Sequence, residues 1–120
     1  MRGVALATAL FLTAPALAQD QQVAIGTGAI LRGLDKVSGE VTDMSLTPGA
    51  RAAMGRITVE LGQCRYPSGD PARDAFAFVT IWEEGRDAPE FSGWMIASSP
   101  ALNALDHPRY DVWVLRCQTE

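Results

Sequence analysis

The stretch from Ser98 to Asp111 holds the chain's single histidine, His107, together with Ser98, Ser99, Asn103, Asp106 and Asp111. A hydroxyl, an imidazole and a carboxylate are the parts of a nucleophilic triad, with Ser98 or Ser99 as nucleophile, His107 as its base and Asp111 to orient the ring. The spacing does not demand that chemistry. No Gly-x-Ser-x-Gly elbow is present. Ser99 before Pro100 reads as a helix cap, and His107 and Asp111 read as hydrogen-bonding ties in the chain. No residue is assigned a catalytic role.

Aromatic residues are the second resource. Trp82, Trp94 and Trp113, with Tyr66 and Tyr110, have the large amphipathic rings that cradle a sugar or an apolar side chain. The expectation is core packing, since Trp82 and Trp94 sit on strands that should face one another across a hairpin. Exposure of Trp94 and Trp113 on one surface would favour a binding platform instead. Asp70 and Asp74 offer oxygen ligands to calcium, but two carboxylates without the ordered spacing of a calcium loop read as a solvated acidic loop. Gly26-Thr27-Gly28 lacks the preceding strand and following lysine of a phosphate loop. No metal or cofactor is expected.

The elements that must position these residues are strands. Ile57, Val59 and Leu61 alternate with Thr58 and Glu60, the period of a half-buried strand. Ala29–Lys36 and Glu40–Leu46 read as a hairpin about Ser38-Gly39, stopped by Thr47-Pro48-Gly49. Residues 65–73 are dense in turn formers and read as an exposed loop. Ala75–Trp82, apolar on both faces, reads as a central strand covered on two sides. Glu90–Ile96 returns beside it, with Gly93 marking a bulge or a close backbone approach. Ser99–Asp106 is expected as a short helix, and Tyr110–Cys117 as the last strand. The fold class is therefore all-β: a small antiparallel sandwich or barrel with one short helix.

The segment Phe91-Ser92-Gly93-Trp94-Met95, continuing through Ser98-Ser99-Pro100-Ala101-Leu102-Asn103-Ala104-Leu105 and His107-Pro108 to Tyr110-Asp111-Val112-Trp113, forms a long motif. With Leu34-Asp35-Lys36 and the two cysteines, it resembles a family of small exported proteins of Gram-negative bacteria known only as a domain of unknown function. The likeness runs from Ala29 to Cys117. It implies export and a single domain, and it brings no activity with it.

At the other end, Arg2 and an uncharged apolar run to Ala14, then Pro15 and Ala16-Leu17-Ala18, have the layout of a cleaved signal peptide. Residues 1–18 are assigned to it, 19–28 to a flexible leader and 29–120 to one β domain. No later apolar run would span a bilayer, so no integral membrane segment is expected after processing. Two cysteines in an exported chain, without metal-ligand neighbours, should pair as a Cys64–Cys117 disulfide. The 120-residue chain carries a net charge of −4, which opposes nucleic-acid binding. The sequence thus points to a periplasmic or secreted binding or interaction module for an envelope protein or polymer. Its expected surface is Trp94, Ser98, Asn103, His107, Tyr110, Asp111 and Trp113. A small hydrolase using Ser98 or Ser99 with His107, and an inhibitor of a wall-degrading enzyme, are the alternatives.

Overall fold

A computed structural model of the chain describes Gly3, Thr8 and residues 22–120. Apart from Gly3 and Thr8, the expected signal peptide lies outside the described residues. The remainder is a two-sheet antiparallel β structure with one disulfide. Its strands are β1 (Val23–Ile25), β2 (Gly28–Asp35), β3 (Val41–Leu46), β4 (Arg51–Met54), β5 (Ile57–Pro67), β6 (Phe76–Glu83), β7 (Phe91–Ile96) and β8 (Tyr110–Gln118).

The first sheet is built on β5. Its first half pairs with β4 and its last residues with β1, while β6 and then β7 extend the sheet on the other side. The second sheet runs β3-β2-β8. Alternation turns Val59, Leu61, Val79 and Ile81 of the first sheet inward, and Leu31, Val112 and Val114 of the second, into one buried cluster. The Cys64–Cys117 bond, with Cα atoms 5.7 Å apart, joins β5 to β8 across that core. Where the edges of β7 and β8 approach, the connecting residues 97–109 form a strap, and its Leu105 inserts into the core.

Several expectations need correction. Residues 23–28 are not a loose leader: Val23–Ile25 pairs with Arg65–Pro67, and the Gly26 amide donates to Cys64 O at 2.7 Å. A Cβ at Gly26 would stand 2.7 Å from Gln118 O, so this glycine serves a close approach between backbones, not flexibility. The same pairing extends β5 through Pro67, into the region expected to be loop. The short helix shrinks to a single 3-10 turn, Pro100–Leu102, without a side-chain cap from Ser99. Its propagation stops at Asn103, whose backbone is extended and whose side chain is drawn to Trp94 O. Gly93 marks a close approach and not a bulge: the β6–β7 register runs through it unbroken, and its missing Cβ makes room for Asn103 Nδ2. β6 is fully covered on one face only, its other face being half-buried.

Candidate functional site

The strap is fixed to the body by a series of polar ties. At its start, Ser98 donates to Asp74 twice, from its amide to Oδ1 at 3.0 Å and from Oγ to Oδ2 at 2.7 Å. Asp74 Oδ1 also accepts the Ala75 amide. In the middle, Asn103 Nδ2 donates to Trp94 O at 2.8 Å, satisfying a carbonyl on the free edge of β7. At its end, His107 is only 7% exposed. Its Nδ1 accepts the amides of Arg109 at 3.0 Å and Tyr110 at 3.1 Å, so the ring proton belongs on Nε2, which faces Glu83 Oε2 at 3.4 Å.

The hairpin between β2 and β3 holds the strap from the other side. Lys36 Nζ donates to His107 O at 2.6 Å, and the Lys36 amide donates to Arg109 O. Asp35 accepts the Arg109 guanidinium on both oxygens, the shortest contact being 3.0 Å, while Oδ1 also accepts the amides of Val37 and Ser38. Chiefly because of Arg109, and further because of those amides, the Asp35 carboxyl is lowered to about 2. Tyr110, buried beside His107, accepts the Arg56 amide on its hydroxyl at 3.0 Å.

The residues expected to act together thus separate. Ser98 is bound to Asp74, His107 Nδ1 accepts two amides and its Nε2 faces Glu83, so no serine–histidine hydrogen bond forms among the described residues. Trp94 and Trp113 lie on the outer faces of different sheets and form no shared platform. Trp94 is 36% exposed, stacks edge-on against Phe78 at 5.4 Å and has the Arg65 guanidinium over its ring at 5.0 Å. The strands that carry Trp82 and Trp94 pair as expected, with Phe78 opposite Trp94, but no tryptophan belongs to the buried cluster, which corrects the expectation of core packing; Trp82 lies under Arg51 at 4.6 Å. Asp70 accepts the Ala72 amide within its own loop.

What the strap leaves open is a groove of about 360 Å³ against β8. Pro100, Ala101, Ala104 and buried Leu105 of the strap line it together with Asp111, buried Val112 and Trp113 of β8 and with Lys36. Beside it in the chain, Leu102 stands 75% exposed. Of the expected site residues, the groove brings together Asp111 and Trp113. Ser98, Asn103, His107 and Tyr110 hold the strap that shapes it. Sequence reasoning missed Asp35, Lys36, Asp74, Glu83 and Arg109 as the partners of these ties. Leu34-Asp35-Lys36 already stood out as a motif, but nothing in its spacing tells that it meets residues 107–109.

Residues 29–117 match the family of uncharacterized proteins conserved in bacteria designated DUF2155. The chain belongs to this family. The DUF2155 match spans β2 to β8, including the strap, the groove and both cysteines. An uncharacterized protein of Rickettsia prowazekii is 28% identical over 87 residues, which cover 70% of this chain and 56% of that protein. The chain therefore spans just over half the length of this curated relative. No solved structure matches the chain. Among the described residues, no helix of this DUF2155 member is long and apolar enough to cross a membrane.

Proposed function

We propose that this chain is an exported binding module of the bacterial cell envelope, and that the strap with its groove is the contact surface. The observation that carries the reading is the pairing of a multiply tied connection with the apolar surface it presents. Ser98, Asn103 and His107 spend their polar groups on holding the backbone, and the strap then offers Leu102 to solvent beside the groove lined by Trp113. A bare turn would join two strands; a long, pre-ordered connection suits recognition, because little ordering entropy is then lost on binding. A signal-peptide-like start and a disulfide fit an oxidising compartment outside the cytoplasm. The hydrolase alternative gains no support from His107, whose ring nitrogens face two amides and Glu83.

The test is crosslinking and affinity capture from the native envelope, with the unaltered chain beside Leu102→Asp and Trp113→Ala. The expected result is one partner or polymer whose recovery falls about tenfold in both variants, as for side chains near the centre of an interface. Equal recovery by every variant that still folds would remove the surface assignment.

A further inference from the structure

We infer that the groove takes the head group of an α-amino acid, with its ammonium between the Asp111 carboxylate and the Trp113 ring and its carboxylate turned to Lys36. This rests on reading the strap and groove as the contact surface.

The charged side chains lining the groove are Lys36 and Asp111. They are opposite in sign, yet they form no ion pair with each other among the described residues. The neighbouring cations are already matched: Arg109 is held by Asp35 and Arg32 by Asp43. The residue opposite Asp111 on β2 is Leu34, which offers no charge. Asp111 therefore faces the groove as a carboxylate without a cationic partner, and a ligand ammonium would supply one. Trp113 lies two positions further along the same face of β8, about 7 Å away by strand geometry. An ammonium near Asp111 is thus within reach of the indole's negative face.

Lys36 uses one of its three N–H donors on His107 O, which fixes the ammonium while leaving two donors for a ligand carboxylate. A ligand carrying only an anion would meet Asp111 repulsively, and one carrying only a cation would meet Lys36. A zwitterion satisfies both ends. Pro100, Ala101 and Ala104 supply an apolar wall for the side chain, and about 360 Å³ lies at the small end of ligand-site volumes. The same chemistry is carried by a free amino acid and by the exposed zwitterionic end of a diamino acid in a wall peptide.

The experiment is an NMR titration of the full chain with L-leucine, N-acetyl-L-leucine and L-leucinamide, and with a soluble wall peptide ending in a zwitterionic diamino acid. Leucine should shift the Ala101 and Ala104 amides and the Trp113 indole. Masking either charge, or Asp111→Asn, should weaken binding about tenfold or more. Tighter binding of the wall peptide than of leucine identifies the wall as the source; the reverse identifies free amino acids. Equal binding of masked and unmasked leucine, or no shift from any probe at millimolar concentration, overturns the inference. Should Asp111→Asn not fold, the masked probes on the unaltered chain decide alone. If no probe binds while envelope capture still depends on Leu102 and Trp113, the groove chemistry falls and the surface reading stands; if both fail, both fall.

Discussion

The Tyr110 hydroxyl, at the start of β8, accepts the Arg56 amide at 3.0 Å, and the absent Cβ of Gly55 is what lets that hydroxyl reach the turn. Gly55 has φ +55°, a conformation that L side chains rarely adopt. The β4–β5 turn and the end of the strap are therefore locked together by one buried ring. Tyr110→Phe keeps the ring but strands the Arg56 amide, at a cost of about 1–3 kcal/mol. Gly55→Ala should cost at least as much, from the clash and the backbone together. In the double variant the two losses should sum to more than the measured loss, since removing the hydroxyl removes part of the clash. Urea unfolding of the four proteins measures this; strict additivity would show the two residues to be independent.

The disulfide closes a loop with a sequence separation of 53 between Cys64 and Cys117. On the chain-entropy account, a loop of that length is worth about 4 kcal/mol. A Cys64→Ser/Cys117→Ser double variant should lose stability of that order, and the unaltered chain should lose the same amount in reductant. Denaturant midpoints with and without reductant test it. A loss under about 1 kcal/mol would mean that residual structure in the unfolded chain already confines the loop.

Much of this architecture was legible because alternation is a local signal. Ile57–Leu61 and Tyr110–Cys117 announce strands by their own spacing, Phe76–Ile81 announces one by its apolar run although only one of its faces is fully covered, and two cysteines without metal-ligand neighbours announce the bridge. β1 and β4 escaped notice because three or four residues give alternation too little length. The glycines at 26 and 28 also have two physical readings, looseness and close approach, that only a packed neighbour separates. The helix over 99–106 failed for a different reason: Ser99-Pro100 is a sound start, but the Asn103 side chain finds a better partner in Trp94 O than the helix would offer. Of the site, Asp111 and Trp113 could be chosen by type, whereas the groove beside them depends on ties between residues up to 74 positions apart, as Asp35 and Arg109 are.

Asp74 takes three hydrogen bonds, one from the Ala75 amide and two from Ser98, one of them through Oγ. Ser98→Ala deletes the hydroxyl alone and should cost about 1 kcal/mol, while Asp74→Ala abandons all three bonds and should cost about 2–3 kcal/mol. Amide exchange gives the more specific readout. In Asp74→Ala, residues 97–103 should exchange faster while the β2–β8 ladder holds its protection. Uniform loss of protection would show that the strap does not open separately from the body.

Acid should act through Asp35. Its carboxyl is lowered to about 2, first by the Arg109 guanidinium and then by the amides of Ser38 and Val37, against an ordinary value near 4 in the unfolded chain. Between those values the unfolded chain binds the proton more readily than the folded one. The stabilisation is therefore complete above about pH 4 and is lost as pH falls through 2. Asp43, lowered by Arg32, adds a contribution of the same sign. Thermal midpoints from pH 6 to pH 2 should fall less steeply in Asp35→Asn than in the unaltered chain, with the variant the less stable of the two above pH 4. Because the Arg109 side chain is 46% exposed, high salt should narrow the gap between them. Parallel curves in low salt would mean that the hairpin and the strap are held by Lys36 and the backbone alone.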